Sequence, residues 1–160
     1  MTIKKLLFYG AIAVILFAGQ FLYSRGLATG KPPELAQTTI QGERVSDRIA
    51  TGPGLIYFWA EWCRICAMMQ APVGAVLNDF PGVTVALRSG DADEVKDYLD
   101  KKALNWPAVI DEDGLIGDRF GIRGVPAVFI LNPEGEIVFT SVGYSTEWGL
   151  RFRLWLAAWL

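Results

Sequence analysis

The chain has 160 residues, 52% of them hydrophobic, and a formal charge of −2 at pH 7. That length fits one domain plus a small extra. A weakly acidic chain with no basic block is a poor nucleic-acid binder, and the absence of histidine removes imidazole as general base and as metal ligand.

The apolar surplus begins at the N-terminus. Lys4 and Lys5 precede an uncharged run, Leu6 to Tyr23, broken only by Gln20, and Arg25 follows. The run is long enough to span a bilayer core with little tilt. A cleavable signal peptide has a shorter core, about 7–15 residues, ending in an A-x-A-like site. Phe17-Ala18-Gly19 fits such a site poorly, so the expectation is an uncleaved signal anchor. The two lysines keep residues 1–5 in the cytoplasm and send the remainder outside. The expected division is a cytoplasmic stub (1–5), a transmembrane anchor (6–23), a linker (24–33) and an exported domain (34–160). From Ser24 onward 13 basic residues face 17 acidic ones, a net charge of −4.

Pro32-Pro33 stiffens the end of the linker. Thr38 to Val45 reads as a hairpin around Gln41-Gly42-Glu43. After the breakers Thr51-Gly52-Pro53-Gly54 comes a continuous apolar run, Leu55 to Ala60, suited to a strand buried on both faces. A helix is expected from Cys63 to about Asp79, stopped by Pro81-Gly82. Val83 to Leu87 is a second buried strand. A turn at Ser89-Gly90-Asp91 leads to a helix opened by Asp93 and closed by Lys101-Lys102, charges that complement its dipole. A short strand (Ala108 to Ile110) and a short helix (Gly114 to Phe120) follow. Ala127 to Leu131 and Glu136 to Val142 are strands joined by the turn Asn132-Pro133-Glu134-Gly135. A helix from about Ser145 ends the chain. This order predicts an α/β fold with a mixed central sheet.

The two cysteines, Cys63 and Cys66, both lie in FWAEWCRIC. Such a pair can be half a zinc site, a structural disulfide or a redox dithiol. A structural zinc site usually needs four Cys or His ligands, so no metal is expected. A bridge between such near neighbours closes a tiny loop and constrains the unfolded chain little. The redox reading is favoured by position, because the pair falls where a buried strand meets a helix. Backbone N–H groups and the helix dipole there stabilise a thiolate on Cys63. Cys63 is then the nucleophile and Cys66 the resolving thiol.

YFWAEWCRIC, followed far downstream by FGIRGVPAVFIL, resembles the thioredoxin-like superfamily. The resemblance implies a thioredoxin fold, no cofactor, and a cis-proline at Pro126 facing the disulfide. It also implies that Gly124, Val125 and Pro126 bind substrate backbone as an added strand. The span from Cys66 to Pro126 exceeds that of a plain thioredoxin by about one strand-helix unit, placed between Val83 and Asp111. That insertion, the anchor and the leading hairpin are similar to the TlpA/ResA/DsbE-type branch, tethered and exported. ALRSGDADEV and GYSTEWGLRFRLWLA resemble the membrane-anchored oxidoreductases of bacterial suppressor-of-copper-sensitivity clusters. The implied location is the bacterial inner membrane, with the catalytic domain in the periplasm. The implied partners are periplasmic protein thiols and disulfides, and a membrane electron donor.

The departures from the family pattern concern protons. Tyr57 stands where thioredoxin has a buried aspartate, and Met69 where ResA-like proteins have a glutamate. Glu61 is the nearest carboxylate, expected to face solvent. Pro72 lies one residue later than the usual helix-kinking proline. Arg64 and Ile65, between the cysteines, tune the redox poise, which in C-x-x-C enzymes spans about −270 to −120 mV. Arg64 favours the thiolate, Arg123 adds to that field, and Trp62 shapes the docking surface. Trp59 and Trp106 are expected to pack inside. Trp148, Phe152, Trp155 and Trp159 share one face of the last helix. Such a stripe is usually core, although tryptophan also favours interfaces.

The leading expectation is a membrane-anchored thiol-disulfide oxidoreductase that reduces chosen partners, linked to copper and redox stress. A Cu(I)-binding carrier module and a thiol reductase for cytochrome c maturation remain alternatives.

Overall fold

The computed structural model describes residues 8–9, 26–36, 38–49 and 52–160. Apart from Phe8 and Tyr9, the expected anchor 6–23 lies outside them. No helix among the described residues is long and apolar enough to cross a membrane.

The elements run α1 (Val45–Ile49), β1 (Gly54–Trp59), α2 (Arg64–Met68), α3 (Gln70–Asp79), β2 (Gly82–Leu87), α4 (Ala92–Lys101), β3 (Ala108–Asp111), α5 (Leu115–Arg119), β4 (Ala127–Leu131), β5 (Ile137–Val142) and α6 (Glu147–Ala157). The five strands form one sheet in the order β3-β2-β1-β4-β5. β1 and β2 are parallel, in register at Tyr57↔Thr84, and β2 and β3 are parallel at Val85↔Val109. β4 runs antiparallel to β1 at Tyr57↔Val128 and to β5 at Val128↔Ser141. The expected inserted unit is α4-β3, and its strand takes the parallel edge of the sheet.

β1 is central, and every one of its side chains is buried. Its alternation builds two cores. Leu55, Tyr57 and Trp59 face the layer of α3, α4 and α6, with Met69, Val73, Leu99, Leu150 and Leu154. Ile56 and Phe58 face the layer of α1 and α5, with Val45, Ile116, Phe120 and Phe129.

Several local expectations change. The hairpin at Thr38 to Val45 reduces to one bridge, Thr38↔Arg44, around a turn in which Gly42 N–H donates to Thr39 O at 2.9 Å. Its strands are too short to stand alone, so the turn docks on β3 instead. Ile40 N–H donates to Ala108 O (2.8 Å), and Gln41 bonds both Trp106 O and Ala108 N. The sheet edge is thereby covered. The linker is also bonded to the domain, through Ala28 N–H to Phe120 O and a Gly30↔Ile137 bridge.

The helix expected from Cys63 to Asp79 is two helices broken at Met69. Pro72 has no N–H for the Met68 carbonyl and its ring crowds that carbonyl, which ends α2 there. α4 starts at Ala92, because Asp91 caps it in a reciprocal capping box with Glu94. The aromatic stripe of α6 is not core. Trp148 is 83% exposed and Trp159 78%, whereas Leu150, Leu154 and Ala157 are fully buried. These smaller side chains fit the close approach to β4 and α3, and the wide rings fall on the outer face.

Candidate active site

β1 ends at Trp59 and the chain turns through Ala60-Glu61-Trp62 into α2. Cys63 is the N-cap of α2, with extended backbone, and its sulfur accepts the Cys66 N–H at 3.1 Å. Cys63 and Cys66 are joined by a disulfide, with Cα atoms 5.2 Å apart. Because α2 has only five residues, the expected dipole contribution reduces to the N–H groups of its first turn. Both cysteines are largely buried, Cys63 at 8% and Cys66 at 3% exposure. Cys63 is the more open of the two.

Opposite stands the segment before β4. The Val125-Pro126 peptide bond is cis, as the resemblance implied. The Val125 carbonyl oxygen lies 3.6 Å from the Cys63 sulfur. Pro126 O accepts the Gly143 N–H at 2.8 Å, which continues the β4-β5 pairing to the site. The fold thus brings Cys63, Cys66, Val125 and Pro126 together. Gly124 and Arg123 line the adjoining cleft with Trp62.

The remaining expected residues divide. Trp62 (62% exposed), Ile65 (45%) and Met68 (66%) form an apolar rim around the disulfide. Trp62 Nε1–H donates to Arg88 O at 3.1 Å, which holds the ring over the cleft. Arg64 and Glu61 are exposed. Glu61 N–H donates to Ser89 Oγ, while its carboxylate has no hydrogen bond among the described residues. Trp106 is buried and packs edge-on to both Tyr57 and Trp59.

Tyr57 fills the place of the missing acid as a core residue. It is fully buried, and among the described residues its hydroxyl and Trp59 Nε1 have no hydrogen-bond partner. Burial, with a smaller contribution from Tyr98, pushes the Tyr57 phenol well above its ordinary value. Burial also raises Tyr98, although the Gln70 amide bond to its hydroxyl opposes that shift.

The sequence reading missed the wall supplied by the β2-α4 loop. In the sequence Ser89 reads as the start of a turn, and Arg88 enters only within ALRSGDADEV. The usable signal was their position directly after a buried parallel strand, at the end of the sheet that carries the cysteines.

A strand, a short helix capped by cysteine and a facing cis-proline segment define a thioredoxin-fold protein for thiol-disulfide exchange. The AhpC/TSA family model matches residues 29–140, and the chain belongs to that family. A thioredoxin-like protein of Haemophilus influenzae is 33% identical over 106 residues, 66% of this chain and 63% of that protein. The thiol-disulfide oxidoreductase ResA of Bacillus thuringiensis is 25% identical over 91% of this chain and 88% of its own. Among solved structures, StoA from Bacillus subtilis superposes with a TM-score of 0.63 at 29% identity, covering 76% of this chain and 96% of that one.

Proposed function

We propose that this protein is a membrane-tethered reductant that faces the periplasm and opens disulfides in chosen partner proteins. The observation that carries the reading is the Cys63-Cys66 pair set against Val125, with the Cys63 sulfur 3.6 Å from the Val125 carbonyl. Val125 N–H carries no hydrogen bond among the described residues, so a substrate strand can pair there.

In the reduced form the Cys63 thiolate attacks one sulfur of the substrate disulfide. That S–S bond breaks, a mixed disulfide forms, and the departing substrate sulfur takes a proton. The Cys66 thiolate then attacks the Cys63 sulfur and releases the second substrate thiol. Two electrons pass to the substrate, and the protein is left with its own disulfide. A dithiol donor in the membrane must return two electrons and two protons for another cycle. The apolar run 6–23 and its flanking lysines support the tether. The similarity to oxidoreductases of copper-sensitivity clusters supports a role in copper tolerance.

The test is trapping with Cys66→Ala in cells. Mixed disulfides through Cys63 are expected on non-reducing gels, absent from a Cys63→Ser/Cys66→Ala control. Alkylation should find the parent pair mostly reduced at steady state. No trapped partner, or a mostly oxidised pair, overturns the proposed direction. Copper tolerance fully restored by Cys63→Ser would overturn the redox reading in favour of metal carriage.

A further inference from the structure

A cleft of about 270 Å³ adjoins the disulfide between Trp62 and Val125. Its lining includes Arg88, Gly114, Asp118 and Arg123. The side chain of Arg88 is exposed, and its backbone is held there from two sides. Its N–H donates to Asp111 O at 2.8 Å, and its carbonyl accepts the Trp62 indole at 3.1 Å. Its φ is +48°, an uncommon conformation for a side-chain-bearing residue. The guanidinium lies across Gly114, where a Cβ would stand 2.5 Å from Arg88 Nε. Gly114 has φ +83°, a conformation that favours glycine, and its missing Cβ leaves room for the guanidinium in this position.

The charge of the cleft opposes that of its domain. Arg88 and Arg123 bring two guanidiniums, and Asp118 is the one carboxylate in the lining. Among the described residues, Arg44, Arg48 and Arg151 have carboxylate partners within 4.0 Å; Arg88 and Arg123 have none, in common with Arg64, Arg119 and Arg153. Guanidinium groups bind carboxylates through paired, charge-assisted hydrogen bonds. A substrate strand paired with Val125 would run beside this cleft, and alternate side chains of a strand point to the same side. One of them would then face the arginines while the target sulfur faces Cys63.

We propose that this cleft is a specificity subsite, and that Arg88 and Arg123 bind an aspartate or glutamate side chain within a few residues of the substrate cysteine. The proposal rests on the thiol-disulfide exchange proposed above and names the substrate class for it.

The test uses the full-length reduced protein in detergent and three disulfide peptides. They differ at one position beside the cysteine, which is Glu, Gln or Lys. Oxidation of the protein is followed by tryptophan fluorescence in low salt. The Glu peptide should react faster than the Lys peptide by about tenfold or more, with Gln between. Arg88→Gln/Arg123→Gln should bring that ratio to within about twofold, and Arg88→Glu/Arg123→Glu should invert it. Exchange with the Gln peptide but equal rates for Glu and Lys overturns the subsite and leaves the exchange activity standing. An unchanged ratio in the double Gln variant also overturns it. Failure to react with any peptide overturns the activity itself, and the subsite with it.

Discussion

The Cys63 sulfur meets the Val125 carbonyl oxygen at 3.6 Å across 62 positions of sequence. The strand pairing β1/β4 closes that distance. Tyr57 pairs with Val128 and Phe58 with Ala127, so the end of β1 and the start of β4 emerge side by side. The Val125-Pro126 dipeptide therefore lies against the Cys63 sulfur and has an unbonded Val125 N–H among the described residues. In the proposed reaction, nucleophile and docking edge form one unit, and substrate pairing would place its sulfur beside Cys63.

Arg64 is exposed beside this sulfur, at the first position of α2. Arg64→Gln removes the charge and keeps the helix. The Cys63 thiolate in the reduced protein should then form less readily, by a modest amount, since an exposed charge acts through water-like screening. Thiolate absorbance against pH measures it. The difference should shrink in high salt. An unchanged titration at low salt would show that Arg64 does not tune the thiol.

Tyr57 predicts an effect on stability and its pH dependence. Its hydroxyl is buried without a partner among the described residues, so Tyr57→Phe should stabilise the disulfide form by about 1 kcal/mol. The folded-state phenol pKa is raised by burial. Folded protein therefore holds the proton longer than unfolded chain. The stability tied to that proton is complete below the unfolded value of about 10 and is lost as pH rises beyond it. Thermal melts should show a shallower alkaline decline for Tyr57→Phe. A parallel decline in both proteins would refute the assignment.

The two faces of α6 should respond differently. Leu154 is fully buried where α6 packs on β4 and α3, so Leu154→Ala should cost about 2–5 kcal/mol. Trp155 is 57% exposed, and Trp155→Gln should change stability by no more than about 0.5 kcal/mol. Denaturant midpoints at constant slope compare them. A larger loss at Trp155 would place the aromatic stripe inside the fold after all.

Asp111 ends β3 and is 2% exposed. Its carboxylate accepts the N–H groups of Ile116 (2.8 Å) and Gly117 (2.7 Å), which start α5 beneath the arginine-lined cleft. Asp111→Ala strands both donors and should destabilise by about 2–3 kcal/mol. Calorimetry tests the size. Stability unchanged within error would mean that water satisfies these groups equally well.

Most of the framework was legible in the chain because it is written locally. The continuous apolar runs at β1 and β2 mark strands buried on both faces. Asn132 to Gly135 marks the hairpin, and C-x-x-C before a helical pattern marks the thiol site. The misreadings came where one element was judged without its neighbour. The stripe of Trp148, Phe152, Trp155 and Trp159 has ideal helical spacing, yet periodicity says which residues share a face and not which face meets the sheet. The turn at 38–44 looked like an independent hairpin because its hydrogen bonds to β3 are invisible in sequence.

The sequence by itself determined the chemistry: two sulfurs at the start of one helix, no imidazole, and a tyrosine in place of the buried acid. Tertiary structure decided what surrounds that chemistry. Parallel pairing of β2 with β1 sets Arg88 beside Trp62, and antiparallel pairing of β4 with β1 sets Val125 beside Cys63. These residues are far apart in the chain and share no local motif. Only the register of a buried sheet can carry them to the same end.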